Sequence, residues 1–139
     1  MVEYHGWAVI RVSADATEDE PEHVVGDMVQ RIQHRIAGIS SEQRILGLRC
    51  VNGAYLLWAA GYTNHRGADV EEIIAFYSFL ATEAPGSYGL LYVQDDEDPQ
   101  GRDNEFQVWK LARGRLSDER DVFLSPYDPV VEYKPGDEG

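Results

Sequence analysis

The spacing of apolar residues along the chain predicts two helices. After Pro21, apolar side chains recur at steps of three and four residues, which places them on one face of a helix that ends near Gly38. These residues are Val25, Met28, Val29, Ile32, Ile36 and Ile39. A second run with the same spacing contains Val70, Ile73, Ile74, Tyr77 and Leu80. Asp69 precedes that run and Glu72 follows it by three positions, so Asp69 is predicted to cap the second helix.

Other segments have the composition and alternation of strands. Residues 4–12 are rich in β-branched and aromatic side chains. Two apolar runs, 45–51 and 54–61, are joined by Asn52 and Gly53, a pair that favours a type I′ hairpin turn. Cys50 in this hairpin is expected to be a small buried hydrophobic residue. The later predicted strands are 87–93, 106–112 and a short edge strand at 121–124.

The order β-α-β-β-α-β-β predicts an α+β fold. The expected architecture is a two-layer sandwich, in which a mostly antiparallel sheet of about five strands carries both helices on one face. The first six elements match the split β-α-β, ferredoxin-like order. Residues 1–126 are predicted to form a single domain, and the proline-rich segment 127–139 is expected to be an extended or frayed tail.

Such a sheet has a second face that the helices do not cover. Alternation along the strands directs Ala8, Ile10 and Leu57 towards the helices, and it directs four aromatic residues away from them. The aromatic residues predicted on this open face are Trp7, Trp58, Tyr88 and Tyr92. A register slip of one residue would exchange the two faces.

Charge and composition narrow the choice of partner. The chain has 139 residues and a formal net charge of −13, which disfavours binding to nucleic acid or to an anionic membrane and favours a cationic partner. A single cysteine excludes an internal disulfide. The N-terminal residues lack the features of a signal peptide, and no apolar run is long enough to span a membrane, so a cytoplasmic location is expected.

The densest charge lies at residues 95–106. This stretch contains one arginine and six acidic residues: Asp95, Asp96, Glu97, Asp98, Asp103 and Glu105. Asp96, Asp98 and Gly101 loosely match a calcium-binding loop, but Gln107 stands where that loop needs a bidentate glutamate. No metal site and no cofactor is therefore predicted, and the two remaining interpretations are a solvated connector and a surface for a positive partner.

The sequence offers little evidence for a catalytic site. His65, in the loop 63–67 beside Asn64 and Arg66, is the best candidate, although turn chemistry explains those neighbours equally well. The sequence contains no nucleophile–base motif and no metal-ligand spacing. No catalytic residue is predicted, and a small enzyme or ligand-binding domain using the 63–67 loop is the alternative function.

Several blocks resemble the immunity protein 7 family of bacterial polymorphic toxin systems. They are "EYHGWAVIR" (3–11), "LRCVNGAYLLWAAGYTNHR" (48–66), "PGSYGLLYVQDDEDPQGRDNEFQVWKLARG" (85–114) and "FLSP" (123–126). The resemblance implies an α+β fold and a non-enzymatic protein that binds and neutralises the toxin domain encoded beside it. Toxin domains that act on nucleic acid carry basic clefts, so the partner is expected to be basic. On physical grounds, the six acidic residues and the four open-face aromatic residues are the predicted partner-binding set.

Overall fold

A computed structural model of the protein describes residues 1–13 and 20–136. In chain order, its elements are β1 (Val2–Ile10), α1 (Glu22–Ile39), β2 (Arg44–Val51), β3 (Ala54–Thr63), α2 (Ala68–Glu83), β4 (Tyr88–Asp95), β5 (Phe106–Ala112), β6 (Arg115–Arg120) and α3 (Tyr127–Val130).

The strands form one antiparallel sheet in the order β2-β3-β1-β4-β5-β6. The first four strands and the two long helices have the split β-α-β arrangement, and β5 and β6 extend the sheet beyond β4. Both long helices pack on the same face and share one hydrophobic core with the sheet. The predicted α+β two-layer sandwich is therefore confirmed.

The core depends on close approach between strand backbone and large side chains. Tyr4 and Tyr77 are fully buried. A Cβ atom at Gly61 would lie 2.2 Å from the ring of Tyr4, and one at Gly6 would lie 2.4 Å from the Tyr77 hydroxyl. These two glycines thus leave the space that the tyrosine side chains occupy.

The side chains of the strands lie on the faces that the alternation of the sequence predicted. Ala8, Ile10 and Leu57 are buried against the helices, whereas Trp7 and Trp58 lie on the other face. Cys50 was expected to be buried and is exposed. Burial falls along β2 from Arg44 to the hairpin turn, so Cys50 lies beyond the cover of the helices.

The predicted cap of the second helix is wrong. The N-cap position is occupied by Gly67, and no side chain caps the helix there. Asp69 lies inside the first turn, where it accepts hydrogen bonds from Arg44 and Tyr4. Because these tertiary partners occupy the carboxylate, it does not serve as a local cap.

The last strand is β6 at Arg115–Arg120, which forms the sheet edge next to β5. The prediction of an edge strand at 121–124 is therefore wrong. Arg113 and Gly114 both have positive φ angles, which forms a tight hairpin turn between β5 and β6. After β6, the carboxylate of Asp121 accepts hydrogen bonds from the backbone N–H groups of Phe123 and Leu124, each at 2.9 Å. Such local side-chain bonds replace those of a strand ladder.

The segment after residue 126 contains a packed turn rather than only extended chain. The backbone N–H of Tyr127 donates to the carbonyl of Asn104 at 2.8 Å, and the Asn104 side chain exchanges two hydrogen bonds with the backbone of Asp128. The Tyr127 ring lies 5.8 Å from that of Phe106. The domain boundary at residue 126 stays a prediction.

Candidate functional site

The acidic stretch forms an ordered loop between β4 and β5. The N–H of Asp98 donates to the carbonyl of Asp95 at 3.3 Å, and that of Gly101 donates to the carbonyl of Asp98 at 3.2 Å. Further along, the side chain of Gln94 donates to the carbonyl of Asp103 at 2.8 Å. The loop thus holds its carboxylates in fixed positions on the protein surface.

Two of the six predicted acidic residues are used internally. Asp95 is 4% exposed, and its carboxylate lies 3.7 Å from a guanidinium nitrogen of Arg66 and accepts the N–H of Glu97 at 2.9 Å. Glu105 pairs with Arg102 at 2.6 Å and with Arg120 at 3.4 Å. These carboxylates position the loop, so they contribute less to its outer field than the sequence suggested.

The other four acidic residues of the stretch lie further outward. Asp96 pairs with the amino group of Met1 at 2.6 Å, and this hydrogen bond raises the pKa of that amino group. Glu97 lies 3.2 Å from a ring nitrogen of His65. Asp98 is partly exposed and accepts the N–H of Gln100, and Asp103 is exposed.

Carboxylates from distant parts of the chain join Asp96 and Asp103 around one groove. Its volume is about 440 Å³, and the additional carboxylates are those of Glu3, Asp128 and Glu132. Tyr127 lines the same groove; burial and, after it, the neighbouring carboxylates of Glu3 and Glu132 raise its pKa. We call this feature the acidic groove.

Sequence reasoning missed the three additional carboxylates. Asp128 and Glu132 belong to the segment that was expected to be extended, so nothing placed them beside the loop. The position of Glu3 could have been predicted from the alternation of β1, because Glu3 lies on the same open face as Trp7. It pairs with Gln94 on β4, next to the start of the acidic loop.

Three of the four predicted aromatic residues form an exposed group on the open face. Trp7 pairs with Trp58 across β1 and β3, and their exposed fractions are 46% and 41%. Tyr88 packs edge-to-face against Trp7 with ring centroids 6.1 Å apart. The Trp58 indole lies across Gly47, where a Cβ atom would be 2.3 Å from the ring. These rings are held in place and remain accessible.

Tyr92 is partly buried and contacts neighbouring side chains of the protein instead. Its ring lies 5.8 Å from that of Phe106, and it interacts with the carboxylate of Asp121. Asp121 also accepts a hydrogen bond from the Ser125 hydroxyl at 2.8 Å, and Ser125 accepts the N–H of Phe106 at 2.9 Å. This network fixes the segment after β6 over the edge of the open face.

The acidic groove and the aromatic group share one surface. Glu3 and Trp7 lie on the same side of β1 and are four residues apart, which corresponds to about 13 Å at the rise of a strand. His5 lies between them and pairs with Tyr92 on β4. A partner of ordinary size can therefore contact the groove and the aromatic residues together.

The 63–67 loop lies beside the acidic loop and is open to solvent. The His65 side chain is 77% exposed, and a ring nitrogen lies 3.2 Å from the Glu97 carboxylate. Arg66 pairs with Glu71 at 2.9 Å as well as with Asp95, so it joins this loop to the acidic loop. Within residues 1–13 and 20–136, no group of three or more His, Cys, Asp or Glu side chains could hold a metal ion.

The helices of the described part of the chain are each too short or too polar to cross a membrane.

Comparison with curated proteins gave no match, and comparison with solved structures gave none either. The family model described as immunity protein 7 matches residues 1–133. This chain belongs to the immunity protein 7 family.

Proposed function

We propose that the chain binds and neutralises a cognate bacterial toxin domain without catalysing a reaction. The observation that carries this function is the family match over residues 1–133. The surface supports it, because the acidic groove and the exposed tryptophans are features of a protein that binds another protein. A cytoplasmic site of action suits this role.

The proposed partner is basic and acts on nucleic acid. Proteins that bind nucleic acid hold its phosphates with clustered Lys and Arg side chains. An inhibitor with a net charge of −13 and an acidic groove attracts such a surface and associates with it rapidly. Occupying the basic cleft also excludes the nucleic acid.

The proposed contact set contains the outward carboxylates Asp96, Glu97, Asp98 and Asp103 together with the aromatic residues of the open face. Asp95 and Glu105 support the loop from inside through Arg66 and Arg102. Tyr92 acts in the same indirect way, since it holds the segment around Asp121.

Co-expression tests the function directly. The toxin domain encoded by the neighbouring gene is induced in bacteria with this chain, with an empty vector, or with an immunity protein of a different family. Survival only in the presence of this chain supports neutralisation. Equal killing in all three cultures, with the chain present and folded, contradicts it. A toxin domain inactivated in its own active site is the control for expression load.

A further inference from the structure

The described residues cover one half of the open sheet face and leave the other half exposed. Phe106 and Val108 on β5 point to that face and are each 5% exposed, and Tyr127 from the segment after β6 packs against Phe106. Trp7 and Trp58 point to the same face and remain 46% and 41% exposed. The described chain thus shields its apolar side chains on β5 but not those on β1 and β3.

The bare half is an apolar patch that spans β2, β3, β1 and β4. Cross-strand pairing joins Trp58 to Trp7 and Leu56 to Val9. Ile45 extends the patch on edge strand β2 and is 63% exposed. Tyr88 borders it on β4. A contiguous exposed patch of this kind marks an interaction surface on a soluble domain.

Two arginines lie on the same face at the end opposite the acidic groove. Arg49 pairs with Leu56, and Arg115 on β6 pairs with Ala112 of β5. Both are exposed, and neither has a carboxylate partner among the described residues. Seven other Lys and Arg side chains pair with acids: Arg31, Arg44, Arg66, Arg102, Lys110, Arg120 and Lys134. Arg11, Arg35 and Arg113 form no ion pair with a described residue either, so Arg49 and Arg115 are set apart by their place on the open face.

We propose that the bare half of the open face is where the toxin domain docks, with Trp7 and Trp58 as apolar anchors and with charges of opposite sign at the two ends of the sheet face. This proposal rests on the function proposed above. The acidic groove meets the basic cleft of the toxin, and Arg49 and Arg115 meet acidic side chains at the rim of that cleft. Charge complementarity at both ends fixes the orientation of the complex.

Charge reversal at Arg49 and Arg115 tests the orientation of the complex. Attraction by negative charge alone and contact of these arginines with acidic groups predict different changes in affinity for the toxin. If a basic toxin were drawn only by negative charge, Arg49→Glu and Arg115→Glu would leave its affinity unchanged or increase it. Contacts with acidic groups on the toxin require about a tenfold or greater loss in affinity, mainly through slower association, because these arginines lie at the rim. Binding of the neighbouring toxin domain, inactivated in its active site, is measured by surface plasmon resonance.

Arg35→Glu is the matched control. It makes the same change in net charge, but Arg35 is on α1 and stacks 4.7 Å from the ring of Phe79 on the helix side of the molecule. Its affinity should stay close to that of the wild-type protein. Reversal variants that bind as tightly as Arg35→Glu, or more tightly, overturn the arginine contacts.

The anchors are tested with Trp7→Ala, Trp58→Ala and Ile45→Glu. Each tryptophan variant is expected to weaken binding about 30-fold or more, as truncation of a central interface tryptophan does. Ile45→Glu places a charge in the patch without disturbing the contact between Trp58 and Gly47, so it tests the surface even if Trp58→Ala fails to fold. Wild-type affinity in folded Trp7→Ala and Ile45→Glu overturns this docking surface. Failure of the wild-type chain itself to bind the toxin overturns the proposed function.

Discussion

Arg44 and Asp69 form an ion pair that joins β2 to the first turn of α2, and the arginine side chain in it is 1% exposed. The guanidinium also donates to Glu72, to the carbonyl of Asp69 and to the carbonyl of Ile39, each at 2.9–3.0 Å. Burial raises the pKa of the neighbouring Tyr4 to about 12, so its hydroxyl stays protonated and donates to Asp69. One buried cation thus connects both long helices to the sheet.

Arg44→Met is expected to lower the free energy of unfolding by about 3–5 kcal/mol, because it leaves Asp69 partly buried without its cation. Urea denaturation followed by tryptophan fluorescence measures the change. Arg31→Met is the control, since the Arg31 side chain is 54% exposed in its pair with Glu83 and surface pairs contribute about 1 kcal/mol or less. Equal losses in the two variants would show that the buried pair contributes no more than a surface pair.

Two glycines should respond in opposite directions to the same substitution. Gly6→Ala places a methyl group 2.4 Å from the Tyr77 hydroxyl and 2.9 Å from the carbonyl of Leu90, so a loss of about 1–3 kcal/mol is expected. Gly26 lies within α1, and no atom of the described residues is within 4 Å of an added Cβ there, so Gly26→Ala should gain about 1 kcal/mol of helix stability. Thermal unfolding compares the two variants. A stable Gly6→Ala protein would mean that the Tyr77 side chain can move aside.

The sequence predicted most of the fold because its elements follow local rules. The hairpin at Asn52 and Gly53 and the apolar face of each long helix need no information from the rest of the chain. The alternation that exposes Trp7 and Trp58 follows equally from local pattern. Asp69 shows the limit of such rules, because its carboxylate accepts a hydrogen bond from the distant Arg44 instead of capping its own helix.

The acidic groove could be predicted only in part. Asp96 and Asp103 belong to a visible charged stretch, but Asp128 and Glu132 reach the groove because the chain after Pro126 contacts Asn104 and Phe106. The bonds between Asn104 and Asp128 join residues 24 positions apart and leave no periodic pattern in the sequence. The internal use of Asp95 by Arg66 is likewise a tertiary effect.

Asp121→Asn should weaken the segment over β5 in a pH-dependent manner. Burial alone raises the pKa of Asp121, but hydrogen bonds from Phe123, Ser125 and Leu124 and the interaction with Tyr92 outweigh it and hold the pKa below its usual range. A lowered pKa in the folded state stabilises the fold above the unfolded pKa of ~3.9, and this contribution is lost as the pH falls through the folded value.

The difference in melting temperature between wild type and Asp121→Asn should therefore be largest near neutral pH and should shrink below about pH 4. Asp27→Asn is the control, because Asp27 is exposed on α1 and has no hydrogen bond to any described residue. A difference for Asp121→Asn that stays constant down to acid pH would argue against an ionised anchor at this position.

His65→Ala distinguishes inhibition by binding from chemistry in the 63–67 loop. The His65 side chain is 77% exposed, and the neighbouring Glu97 is itself on the surface, so the loss of the imidazole should leave protection against the toxin nearly unchanged. Survival in the co-expression assay measures protection, with Asn64→Ala as a neighbouring control in the same loop. Complete loss of protection by a folded His65→Ala protein alone would favour the enzyme or ligand-binding alternative.

The acidic groove should increase the rate of association with a basic toxin domain. Asp96→Asn, Asp103→Asn and Glu132→Gln remove three of its carboxylates and leave Asp95 with its structural partner Arg66. Each exposed carboxylate contributes little alone, but several around one groove act as a local field on an approaching cation. The triple variant is expected to associate several-fold more slowly in low salt, with a smaller change in dissociation rate.

Salt and a matched variant separate this local field from net charge. The Debye length falls from ~10 Å at 0.1 M to ~3 Å at 1 M salt, so the difference in association rate should disappear at high ionic strength. The control carries Glu22→Gln, Asp27→Asn and Glu42→Gln, which remove the same charge from exposed positions on or next to α1. If the two triple variants associate at the same rate in low salt, net charge rather than the groove steers the partner. If neither differs from wild type, the carboxylates of the acidic groove do not steer the partner.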